Sequence, residues 1–152
     1  GYDFTLRLLP VPPGNWELRI GYNAEGWRGM GQIFVDGNLA GTPVDLKIGD
    51  VEGDPRAGWV ADAETADGGI EVDKMMRNLG YMKGPASCFL LNGNILLRDF
   101  YKSLRYIVGQ YRFTDYGEHK LRARNVDFSG REFSIDYFEL IPVDMIRDED
   151  RY

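Results

Sequence analysis

Alternation is the feature that most narrows what this chain can become. In YDFTLRLL, residues 2–9, Tyr2, Phe4, Leu6 and Leu8 alternate with Asp3, Thr5 and Arg7. A period of two sends neighbouring side chains to opposite faces, so the stretch reads as a half-buried strand. NWELRIGY repeats the pattern, with Trp16, Leu18, Ile20 and Tyr22 on one apolar face. Between the two, PVPPGN ends the first strand, because proline cannot donate to a ladder and Pro-Gly favours a turn.

The rest of the chain keeps this rhythm, with one interruption. Strands are expected in GQIFVDG, which closes on an Asp36-Gly37 turn, and in LAGTPVDLKI. SCFLL and NILLRD flank Asn92-Gly93, a hairpin signal, and LRYIVGQYRF, EHKLRARNV and REFSIDYFELIPV complete the set. Many short strands with turns between them predict an all-β chain, an antiparallel sandwich or barrel. At 152 residues the size is that of one domain, with a core over about 2–143 and an acidic, solvated tail at 144–152.

The interruption spans residues 49–85. The stretch 49–72 is rich in glycine and acids and lacks a period, so it reads as a long surface loop. It leads into DKMMRNLGYMKGP, residues 73–85. Val72, Met75, Met76 and Leu79 recur at helical spacing, and Gly80 suits the position just past a helix end. One short helix is therefore expected near 70–79.

Composition excludes some functions. A formal charge of −6 and an isoelectric point near 4.8 are the opposite of a nucleic-acid footprint. No apolar run has the ~20 residues that a membrane helix needs, so no membrane contact is expected from this region itself. Cys88 is the single cysteine, which rules out an internal disulfide, and it reads as a small buried residue of a strand. Starting at Gly1 with neither an initiator Met nor a signal peptide, the chain reads as a piece of a longer precursor.

Three stretches together carry a resemblance. NWELRIGYNAEGWRGMGQIFVDG, EHKLRARNV and FSIDYFELIPV, through Leu18 to Tyr22, Ile33 to Gly37, His119 to Leu121 and Ile135 to Pro142, are similar to galactose-binding-like β-sandwiches. That fold is a jelly roll shared by many carbohydrate-binding modules. GWVADAE followed by DKMMRNLGYMKGP resembles an accessory domain of Bacteroidetes surface lipoproteins that also carry fasciclin repeats. The resemblance implies an extracellular, outer-membrane-anchored parent protein. Its accessory domain would bind glycan or mediate adhesion; the start at Gly1 keeps open the alternative of a protein-interaction or adhesion domain, or a spacer packing on a neighbouring domain of the same polypeptide. No catalytic residues come with it, and no lipobox cysteine occurs in this sequence. It also implies a structural calcium ion held by loop carboxylates and carbonyls, with no ligand set assigned.

Candidate site residues follow from chemistry. His119, the only histidine, begins a strand after a turn, where a structural hydrogen bond is the expected role. Asp62, Glu64, Asp67, Glu71 and Asp73 could supply a glycosidase pair, but acids in a glycine-rich loop are expected to be solvated. The acids of DAETADG, 62–68, are wrongly spaced for an EF-hand. The chain is therefore expected to be non-catalytic. Sugar binding needs flat aromatic faces and planar polar groups on loops, which Trp27, Arg28, Trp59 and Tyr81 supply. Trp27 and Trp59 fit equally as plugs at the ends of a sandwich. Two readings of DKMMRNLGYMKGP stay open. It is a cap, with Arg77 and Lys83 facing water, or it also holds Arg77, Asn78, Tyr81 and Lys83 at the edge of a glycan cleft.

Overall fold

In a computed structural model, which describes residues 2–91, 93–127, 129 and 131–146, the chain is mostly strand with one α-helix. The strands are β1 (Asp3–Arg7), β2 (Gly14–Asn23), β3 (Met30–Val35), β4 (Asn38–Asp45), β5 (Tyr81–Lys83), β6 (Ser103–Phe113), β7 (Lys120–Asn125) and β8 (Tyr137–Pro142). Helix α1 (Ile70–Asn78) precedes β5. They form two antiparallel four-stranded sheets, ordered β1-β7-β3-β4 and β5-β6-β2-β8. The core between the sheets is apolar, with Leu18, Ile20 and Tyr22 of β2 against Ile33 of β3 and Leu121 and Ala123 of β7. The expected sandwich of antiparallel strands is present.

Local chemistry explains the joints. Asp36 and Gly37 both take left-handed backbone, φ 49° and 81°, so a two-residue primed turn links β3 to β4. Gly80 has φ 91°, which ends α1 just before β5. At Gly31 a Cβ would lie 1.8 Å from the Phe133 ring, so only glycine admits that ring over β3.

Several expectations need correction. Among the described residues, SCFLL and NILLRD form no ladder beyond a single bridge between Phe89 and Leu96, and Leu97–Asp99 is a 3-10 turn. Phe89, Leu91 and Ile95 have no sheet beneath them and stay exposed, and a short apolar run alone cannot distinguish strand from loop. Cys88 is exposed, not buried. Asn92 lies outside the described residues. β1 is exposed along its whole length because it is an edge. The segment 49–69 is not merely a surface loop, since Asp54, Ala57 and Trp59 are buried. On α1, Met76 is fully buried while Met75 and Leu79 are largely exposed. Strand at the C-terminal end is confined to β8, which a 3-10 turn at Val143–Met145 follows. Residues 147–152 of the expected tail lie outside the described residues.

Candidate functional site

The segment 73–85 is fastened by ion pairs on both sides of β5. On one side, Lys83 places Nζ 2.6 Å from the Asp62 carboxylate, bonds the Val60 carbonyl and lies 5.4 Å over the Trp59 ring. Arg98 grips the same Asp62 at 2.6 and 2.9 Å and reaches Asp73 of α1 at 2.8 Å. Burial alone would raise the Asp62 carboxyl, but hydrogen bonds from Arg98 and Lys83 outweigh it and hold it below its ordinary value.

On the other side the outer face of β2 is charged and yet dry. Glu17, Arg19 and Arg105 are at most 1 % exposed. Arg19 Nε donates to Glu17 at 2.7 Å, and Arg77 reaches the second Glu17 oxygen at 2.5 Å. Arg19 and Arg105 both approach Glu139, at 3.5 and 3.4 Å, and Arg105 Nε donates to the Lys83 carbonyl at 2.8 Å. Buried charges persist only when paired, and these are.

This geometry disperses most of the expected site. Lys83 is 2 % exposed and does not face water. Tyr81 is buried with its ring 5.3 Å from that of Tyr106, and burial pushes its hydroxyl far above the usual tyrosine range. Trp59 is core, 6.2 Å from Tyr101 in an edge-to-face pair. Arg77 serves Glu17, and Asn78 is the last residue of α1. These residues therefore do not converge on a cleft. The cap accounts for them, through ion pairs that sequence alone did not suggest.

Four of the five loop acids are also engaged, and Glu64 is exposed. Asp62 and Asp73 share Arg98, Asp67 accepts the N–H groups of Gly69 and Glu71 at the start of α1, and Glu71 meets Lys74. Among the described residues, no three His, Cys, Asp or Glu side chains are placed to hold a metal ion. His119 has the expected structural bond: its Nδ1 lies 2.7 Å from Asp36, whose other oxygen accepts the Lys120 N–H. The ring packs on Phe113, 4.1 Å between centroids.

Trp27 is different. It stands 59 % exposed on the loop between β2 and β3. That loop is fixed by bonds from Ala24 N–H to Lys102, Glu25 N–H to Leu46 and Gly29 N–H to Glu132. Arg131 donates to the Gly26 carbonyl at 3.0 Å, and Lys102 bridges Glu25 and Asp50 at 2.8 and 3.0 Å. Those two bonds raise the Lys102 ammonium above its usual value. Next to Trp27, Arg28 is mostly buried and pairs with Glu132 at 3.2 Å. Partial desolvation raises the Asp136 carboxyl, an effect that the nearby Arg28 opposes. An exposed indole is thus set on a pinned loop flanked by groups of both charges.

No protein-family model matches the chain, and no curated protein matches it.

One aromatic was underrated from sequence. Trp16 falls on the apolar face of β2, but it sits near the end of the sandwich and is only half buried. It walls two recesses of about 400 and 390 Å³, the first with Asn15, Pro142 and Asp144, the second with Leu8, Phe138 and Leu140. The adjacent PVPPGN lies against it, with the Pro12 carbonyl accepting the indole N–H at 3.0 Å.

Proposed function

We propose that the chain is a non-catalytic carbohydrate-binding module of a bacterial cell-surface protein, with its sandwich wound as a galactose-binding-like jelly roll and Trp27 as the sugar platform. One observation carries the reading: an indole held in water on a loop that the surrounding backbone fixes in advance. A flat aromatic face takes the apolar side of a pyranose, and a fixed loop loses little conformational freedom on binding. Lys102, Arg131, Glu25 and Asp50 lie beside the loop and offer donors and acceptors for hydroxyls. Arg28 acts as support: it is mostly buried and faces Glu132 at 3.2 Å as a charge pair, with its Nε and Nη1 making no hydrogen bond among the described residues.

The test is a glycan array of plant, host and microbial polysaccharides, followed by affinity electrophoresis on whichever glycan binds. Wild type is expected to be retarded. Trp27→Ala is expected to run as in the absence of glycan, with stability changed by no more than about 0.5 kcal/mol because the ring is exposed. No binding across the array overturns the reading.

A second reading is favoured by a separate observation. Phe89 and Leu91 project from the 86–96 excursion at 58 % and 105 % exposure, apolar side chains suited to packing on a neighbouring domain of the same protein. An empty array together with cross-links from this excursion to a neighbouring domain would replace the first reading with this one.

A further inference from the structure

β1 lies at the edge of its sheet, and among the described strands it pairs only with β7. The other edges are guarded: β4 contains Pro43, β5 is flanked by α1, and β8 ends at Pro142. β1 is short and charged, but it has no proline and no break in its register, and its two charges, Asp3 and Arg7, are of opposite sign.

Its existing bonds show where the free backbone points. The Leu8 N–H donates to the His119 carbonyl at 2.9 Å, and the Tyr2 carbonyl accepts from the Asn125 N–H at 2.8 Å. Even-numbered residues therefore address β7. Alternation turns the N–H and C=O of Asp3, Thr5 and Arg7 to the open side.

We propose that two copies of this chain associate by antiparallel pairing of their β1 strands about a two-fold axis at Thr5. In that register Thr5 faces Thr5, Asp3 faces Arg7, and Phe4 faces Leu6. The three outward-pointing residues meet as hydrogen-bonded pairs, so each exchanges both backbone bonds with the opposite strand. A two-fold contact must be self-complementary, and DFTLR is, in charge as well as shape.

The side chains agree on both faces. On the outer face, the one ion-pair neighbour of Arg7 among the described residues is the exposed Glu118 at 3.9 Å, and Arg7 would gain the Asp3 of the other copy. That Asp3 already receives Arg122 at 2.7 Å, so it would bridge two guanidinium groups. On the core-facing side, Phe4 and Leu6 pair in register with Ala123 and Leu121, which are buried, yet remain 36 % and 43 % exposed. They are exposed because no strand lies beyond β1. A second β1 supplies one, and a shift of a single residue would lose both the charge match and the apolar match.

Sedimentation velocity of the whole chain, from micromolar to near-millimolar concentration, tests this. A dimer is expected to appear with concentration. Thr5→Pro removes a central N–H that bonds nothing in β7, and should weaken association by about tenfold or more while circular dichroism stays unchanged. Arg7→Asp should weaken it as well, by setting two carboxylates opposite each other, and Arg7→Ala should weaken it less, since it only removes the attraction. The charge variants alter exposed side chains and decide the matter even if the proline variant misfolds. A monomer throughout, or a dimer indifferent to these changes, overturns the proposal.

Discussion

Glu17 stands in the middle of β2 between two guanidinium groups, those of Arg19 and Arg77, with almost none of its surface in water. Removing one of them leaves a buried carboxylate with half of its support. Arg77→Ala is expected to cost about 1–3 kcal/mol, the usual penalty for stranding a buried charged acceptor. Urea unfolding would measure it, and a loss within error of zero would show that Arg77 is decorative. Arg77 lies apart from the Trp27 loop, so the folded variant should keep any glycan retention that wild type has. The arrangement also shows what alternation cannot reveal. Glu17, Leu18, Arg19 and Ile20 read as one dry and one wet face, and the dry face is correct. The other face is dry too, because Glu17 is matched to Arg19 of its own strand and Arg77 of α1, and Glu139 of β8 to Arg19 and Arg105. A one-dimensional pattern carries no sign of that pairing, so Arg77 looked free for ligand when it was not.

At the scale of elements, the helix and the turns were legible because their causes are local. Gly80 permits a left-handed exit, Met76 marks the buried stripe of α1, and Asp36-Gly37 makes a primed turn. The 86–101 excursion was not legible, since its apolar residues follow strand composition but meet no sheet. Nor was the mutual attachment of α1, β5 and the preceding loop, which rests on Arg98 joining Asp62 to Asp73 while Lys83 holds Asp62 from β5. Arg98 is the hub. Arg98→Ala should destabilise by about 3–5 kcal/mol, as breaking a buried ion pair does when the partners stay behind. If chemical denaturation of that variant shows a loss below about 1 kcal/mol, of the size found for surface pairs, these three elements are held by packing alone.

Across the whole molecule, the long segment between β4 and β6 is held largely by carboxylates, Asp54 closing its first part on itself and Asp62 fastening it to Lys83 of β5, and this gives the protein a preferred way to open. Asp54 takes hydrogen bonds from the Arg56 side chain, which with the N–H groups of Gly49 and Arg56 depress its carboxyl from 3.8 to about 2. Asp62 is depressed too, since Arg98 and Lys83 outweigh its burial. For a carboxyl lowered on folding, the contribution to stability is complete above the unfolded value and lost as pH falls through the folded one. For Asp54 the drop from 3.8 to about 2 corresponds to roughly 2 kcal/mol. Asp136 works in the opposite sense, because burial raises it, but it lies near the start of β8, outside this segment. Acidification from about pH 4 towards pH 2 should therefore loosen residues 47–69 before the two sheets separate. Trp59 is the reporter, buried in that segment beneath Lys83. Its fluorescence should shift to the red in this window while the far-ultraviolet β signal persists, and Trp59→Phe should abolish the shift. Asp54→Asn should already be weakened at neutral pH and show a smaller acid response. Simultaneous loss of both signals in wild type would mean that the segment and the sandwich open as one unit.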